Sequence, residues 1–344
     1  MTQTPVRAPA SAGRRTGRLI GLIPAAGLLL ALAMLSIALG SRDVAPVDVW
    51  DAITGAAQGA DATVIRDMRV PRTILGILVG ASLAMGGTIL QGVARNPLAD
   101  PGVLGISSGA AAAVVVAALV FGTMPTGDAV WFAFAGAGIA TVLVYAIASF
   151  GTEGATPVKL ALAGAALTAL CASITSAILL ADPDALNTLR MWQVGALAGR
   201  YGSVLLQLWP FFAVGIVVAL FVGRPLNLLS LGDDLARSLG LRLVPTRAFL
   251  FAVVAALCGA ATAACGPIVF VGLMIPHLVR LITGPDYRWI LVYSAVLGPV
   301  LVLGADIIGR LLLPSGEVPV GVVIGVLGAP VFVLLVRFRG SVKL

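Results

Sequence analysis

The hydrophobic pattern of this chain is a succession of long apolar runs, not a short alternation of apolar and polar positions. Ten such runs can be laid out, at residues 19–39, 73–94, 103–121, 129–150, 158–181, 204–222, 247–265, 270–282, 289–313 and 318–336. A helix rises about 1.5 Å per residue, so a run of about twenty apolar residues crosses the hydrocarbon core of a bilayer. Backbone groups in lipid must find partners within the chain, and runs of this length select helices over a closed barrel. The pattern predicts an all-α integral membrane protein of about ten transmembrane helices, forming one domain over residues 1–344.

The stretch from Arg69 to Gly105 organises the rest. Arg69 and Arg72 flank a Val-Pro pair, and the run after Thr73 is broken only by Ser82, Thr88 and Gln91 before a polar turn, Arg95-Asn96-Pro97-Leu98-Ala99-Asp100-Pro101. Its small residues, including Gly76, Gly80, Gly86 and Gly87, permit close approach of helix backbones in lipid. Gln91 reads equally as a pore-facing polar residue or as an interhelical hydrogen-bond donor.

Two connections are long. In the segment 41–72, Val47, Val49, Trp50 and Ile53 have the spacing of a short amphipathic surface helix. In the segment 223–245, Leu231, Leu235, Ala236 and Leu239 fall near one helical face, Gly232 interrupts in front and Gly240 ends the run. Asp233 and Asp234 sit in the first turn, where the helix dipole favours anions. This pair of short helices suits a groove on another protein, or else rests on the membrane surface.

Composition agrees with the pattern: 59% of residues are hydrophobic and 11% charged, with mean hydropathy +1.06. No soluble globular domain hides that much apolar surface. The net charge of +7 is explained by basic cytoplasmic loops, with no need for nucleic acid. Fifteen Lys and Arg residues fall in the two tails and the connections around Arg95, Lys159, 224–247 and 280–288, against seven in the alternate connections. That asymmetry places both termini in the cytoplasm, with 1–18 as a tail and 223–245 as an inner loop. The arginine-flanked first run resembles a signal peptide, but its length makes it a retained span.

Several chemistries are excluded. The only lysines are Lys159 and Lys343, neither in a phosphate-binding loop. Cys171, Cys258 and Cys265 lie in apolar runs, and the single histidine, His277, has no second ligand type nearby, so no metal site is expected. Asp182, Asp184, Asp233 and Asp234 read as loop and cap residues. Ion-coupled carriers keep titratable groups at mid-membrane. Here the exception is Asp306 with Arg310 four residues on, toward the outer end of the ninth run, where the two can pair. A secondary carrier using Asp306 is therefore the alternative from another functional class.

The chain resembles the permease subunits of bacterial ATP-driven importers for iron-siderophores, haem and vitamin B12. The residues that carry the resemblance are Arg69-Val70-Pro71-Arg72, the span leading to Gln91, and Asn96-Pro97-Leu98-Ala99 with Pro101 and Leu104-Gly105. Further along come Gly266-Pro267-Ile268-Val269-Phe270-Val271-Gly272, Pro276-His277 with Arg280, Ala305-Asp306 with Arg310, Pro319-Val320-Gly321 and Gly328-Ala329-Pro330-Val331-Phe332. The resemblance implies a second permease, same or related, two ATPase subunits that hold ATP and Mg, and an external substrate-binding protein, all at the bacterial cytoplasmic membrane. No cofactor is expected on this chain and no enzyme activity.

By the same resemblance, Arg69, Arg72 and Arg310 are the outward arginines that dock the binding protein. Asn96, Leu98, Thr152 and Thr156 form the cytoplasmic gate. Leu228, Leu231, Asp233, Asp234, Leu235, Leu239 and Gly240 couple to the ATPase, and Gln91 is the pore candidate. An iron-siderophore is the expected cargo, with vitamin B12 and haem as alternatives.

Overall fold

A computed structural model describes residues 11–39, 51–52, 59–122, 124–151, 155–200, 202–313 and 316–339. All its regular structure is helical, with no strand among the described residues. The helices are α1 (Ser11–Ala38), α2 (Val70–Ala94), α3 (Ile106–Phe121), α4 (Thr126–Ser149), α5 (Pro157–Ala181), α6 (Pro183–Gln193) and α7 (Gly202–Phe221). After these come α8 (Gly223–Ser230), α9 (Asp233–Ser238), α10 (Leu243–Cys265), α11 (Val271–Thr283), α12 (Tyr287–Leu311) and α13 (Val320–Arg339). A helical turn, Ala60–Thr63, and a π-helical turn, Val64–Arg69, run directly into α2.

Seven described helices are long and apolar enough to cross a membrane, and three more, α3, α11 and the first part of α13, are apolar but shorter. These segments overlie the ten apolar runs of the sequence. The surface helix expected from Val47, Val49, Trp50 and Ile53 lies outside the described residues.

Helix α2 is the axis of the bundle. Every residue from Val79 to Ala94 is buried, against α10, α11 and α12, while α1 leaves most of its apolar surface exposed. Glycine makes this possible at two crossings. A Cβ on Gly80 would lie 2.7 Å from the carbonyl oxygen of Gly298 in α12, and one on Gly87 would lie 2.1 Å from that of Gly272 in α11. No side chain fits at those separations, so the backbones themselves are in contact.

Irregular backbone enters the bundle at two places. After α2 ends at Ala94, residues 96–105 turn back, and Pro101 packs against Gly272 beside Leu83. Leu83 lies eleven residues before the end of α2, about 16 Å back along the helix. Residues 266–270, before α11, likewise run among helices, where Ala196 donates its N–H to the carbonyl of Cys265 at 2.8 Å. Non-helical backbone at this depth requires protein or a water-filled cavity around it, which the flanking helices provide.

Candidate functional site

The bundle has two ends, and each gathers polar residues. At one end lie the start of α1, the C-terminus of α2, the pair α8–α9 and the start of α12. Asn227 fixes α8 to this end: its Nδ2 donates to Asp286 at 2.7 Å and its Oδ1 accepts from the Tyr287 N–H at 2.9 Å. Leu226 and Leu229, on the inner face of α8, are fully buried. Gly232, at φ 104°, then reverses the chain into α9, and Gly240, at φ 86°, ends it with the Leu241 N–H on the Ala236 carbonyl.

The helical stripe differs from the sequence reading in one respect. Ala236, expected on the same face as the leucines, is fully buried, whereas Leu231, Leu235 and Leu239 are 54%, 57% and 58% exposed. Six residues of α9 cannot bury two faces, and the small residue is the one that fits against the bundle. Leu228 is half-buried and Asp234 is exposed, within 3.3 Å of Arg237.

Beside α9 lies the turn that follows α2. Arg95 occupies the left-handed region at φ 47°, and the N–H groups of Arg95 and Asn96 both reach the Gln91 carbonyl. Asn96 Oδ1 accepts from the Leu98 N–H at 2.9 Å, which tightens the turn and leaves Leu98 half exposed. Burial, with Arg247 close by, pushes the Arg95 guanidinium below its usual range. Of the other two gate residues, Thr152 lies outside the described residues. Thr156 caps α5, its hydroxyl accepting from the Lys159 N–H at 3.3 Å.

Gln91 is 1% exposed. Its Nε2 donates to the Gly272 carbonyl at 3.0 Å, and its Oε1 accepts from Arg280 at 2.6 Å. Both ends of the amide are engaged between helices. The sequence reading gave Asp100 no role, yet its carboxylate caps the turn Pro101–Leu104 and lines a small cavity with Ser107, Cys258, Thr262 and Val269. Asp100-Pro101-Gly102, at the end of the polar turn, is the sequence signal for this cap.

At the other end, Asp306 is 2% exposed and receives two arginines. Arg72 donates through Nε at 3.1 Å and Nη2 at 2.8 Å, while Arg310 donates through Nε at 3.1 Å and also Nη2. Arg72 further pairs with Glu317 at 2.7 Å. Arg310 also donates to the carbonyls of Ser36 and Leu39, at 2.7 and 3.0 Å. Arg69 donates to those of Ile37 and Ala38, at 2.9 and 2.7 Å.

This corrects the placement of two arginines expected to face outward. Arg69 and Arg310 are 6% and 9% exposed and turn inward, because the last carbonyls of α1 have no intrahelical donors and these guanidiniums supply them. Arg72, with 15% of its side chain exposed, remains nearest the surface. Among the described residues, no three of His, Cys, Asp and Glu come together in a group able to hold a metal ion.

A helical bundle with an exposed leucine stripe at one end and buried arginines at the other is one of several possible transporters. The match of residues 28–338 to the model of the FecCD transport family decides among them. The chain belongs to that family. This FecCD member is 43% identical to the ferric enterobactin transport system permease protein FepD of Escherichia coli strain K12, over 92% of the chain and 94% of that protein. It is 42% identical to the iron(3+)-hydroxamate import system permease protein FhuB of Bacillus subtilis strain 168, over 94% and 84%. Identity to the hemin transport system permease protein HmuU of Yersinia pestis is 35%, over 90% and 92%. Among solved structures it is similar to a chain of a metal-chelate type ABC transporter in an inward-facing conformation, with a TM-score of 0.79, 27% identity, and coverage of 92% and 98%. The FecCD protein is thus an ABC transporter permease.

Proposed function

We propose that this chain is the membrane-spanning subunit of an ATP-driven importer and that, with a second permease, it encloses the path for an iron-siderophore. The observation that carries the reading is the exposed set Leu231, Leu235 and Leu239, of which Leu235 lies on α9 and the other two flank it, on a short helical segment outside the long spans. Over half of each side chain remains exposed, so covering the stripe would stabilise a complex by about 1 kcal/mol per leucine. The partner is an ATPase subunit on the cytoplasmic face, which carries ATP and Mg and does the hydrolysis. Ten spans are supported by the ten apolar runs of the sequence, and both termini inside by the basic-residue asymmetry.

The binding protein docks at the opposite end, around Arg72, Arg310 and Arg69. Arg72 is the point of entry: a carboxylate of the docking protein displaces Glu317 from it, while Arg69 and Arg310 support the site from below. Iron-siderophore cargo is favoured by the relatives that transport ferric enterobactin and iron hydroxamates. The hemin relative supplies haem as the second cargo. Nothing in the described residues favours an ion-coupled carrier, since Asp306 is locked between two guanidiniums.

Co-purification tests the coupling claim. The chain should retain its ATPase through detergent extraction, and replacing all three leucines by serine should release it. Retention of the ATPase by that variant would contradict the assignment.

A further inference from the structure

Three elements meet at one carboxylate. Asp233, the first residue of α9, accepts from Arg247 of α10 through both oxygens, at 2.8 and 3.0 Å, and from Arg95 at the end of α2. Gly232 makes the approach possible through its backbone: at φ 104° it reverses the chain so that Asp233 meets the Arg95 guanidinium. The sequence reading placed Asp233 among the residues that meet the ATPase. Its side chain instead turns toward the bundle, with only 32% of it exposed, while neighbouring Asp234 is fully exposed.

Arg95 is also unusual. It sits where a helix normally ends in glycine, in the left-handed region at φ 47°, a conformation that costs energy for a residue with a Cβ. Such strain persists only where the surroundings enforce it. Here the enforcement is visible: the strained residue carries the guanidinium that reaches α9, and the next residues, Asn96 to Leu98, form the candidate gate turn. Asp233 also separates two like charges, since Arg95 and Arg247 lie close enough to repel.

We propose that Asp233 is a positioning residue that transmits displacement of α9 to the gate turn, through its ion pair with Arg95 and with Arg247 as the fixed anchor. The proposal rests on the importer reading above. It gives α9 two faces with different tasks: the leucines are held by the ATPase, and Asp233 holds the gate. Without the carboxylate the two arginines repel, and the turn is no longer tied to the helix pair.

The test uses the full chain with its ATPase subunits in lipid nanodiscs, carrying Leu98→Cys as a reporter. The three native thiols are free and buried, so labelling reports the gate turn. The labelling rate of Leu98→Cys should change about tenfold between nucleotide-free and ATP-trapped complexes, within the usual range of coupling between sites. Adding Asp233→Asn should abolish that response while ATP hydrolysis continues, and Asp233→Glu should restore it. Arg95→Gln should behave like Asp233→Asn, and the pair together should be no worse than either alone, as expected of residues acting through one contact. A full ATP response in Asp233→Asn overturns the link alone, as does loss of the ATPase from that variant, which would make Asp233 a docking contact. Failure of the Leu98→Cys parent to associate with an ATPase would refute the importer reading and the link with it, whereas a parent that associates but does not respond to ATP would refute the gate turn, and so the link, alone.

Discussion

Replacing Asp306 by asparagine keeps the shape of the side chain and removes the charge that holds Arg72 and Arg310. In the structure this carboxylate is 2% exposed and accepts from both Nε and Nη2 of each arginine. Removing one partner from a buried ion pair costs about 3–5 kcal/mol, because the remaining charge is stranded. Glu317 still pairs with Arg72 and is 31% exposed, so the lower value applies, about 3 kcal/mol. That is a change of about 150-fold in the unfolding equilibrium. At about 2 °C per kcal/mol for a long chain, the melting midpoint should fall by about 6 °C.

The protein carries its own probe, since Cys171, Cys258 and Cys265 are free and buried and react with a thiol-sensitive fluorophore only on unfolding. Adding Arg310→Met to Asp306→Asn should recover at least half of the loss by removing the stranded cation, although the carbonyls of Ser36 and Leu39 then lose their donor. A midpoint within about 1 °C of wild type, together with loss of uptake, would refute this reasoning and make Asp306 a titrating coupling group.

The remaining expectations concern packing and docking. Gly87→Leu should abolish accumulation of folded protein, because its Cβ would meet the Gly272 carbonyl at 2.1 Å, whereas Gly138→Ala, with nothing within 4 Å, should melt within about 1 °C of wild type. Glu317→Gln, which frees one side of Arg72, should strengthen association with the binding protein by about 1 kcal/mol, about fivefold in Kd, measured by surface plasmon resonance on nanodiscs. Arg72→Glu should weaken it at low salt. Arg69→Gln should instead lower the melting midpoint, because its guanidinium caps α1.

Much of the bundle was legible because apolar runs near twenty residues have few other solutions in lipid, and because Gly232 and Gly240 bracket α9 in the sequence. The helix pair was legible for the same reason, apart from the inward turn of Ala236. The arginines were harder. A positive residue at the end of an apolar run looks alike whether it faces solvent or caps another helix, and only the position of the last turn of α1 decides for Arg69 and Arg310. Asp100 and Asp233 were obscured in a related way. One depends on a chain reversal that carries a polar turn back among the helices, and the other on two arginines that lie 138 residues before it and 14 residues after it in sequence.

The central claim is that this chain moves a ferric chelate only when coupled to an ATPase. The direct measurement is uptake of radioiron-labelled ferric enterobactin, ferric citrate and hemin into proteoliposomes holding the chain, its ATPase subunits and its binding protein. Accumulation of an iron chelate that requires ATP inside the cytoplasm-equivalent compartment, and that stops when the ATPase or the binding protein is omitted, is the predicted result. Uptake by the chain alone, driven by a proton gradient and indifferent to ATP, would contradict it.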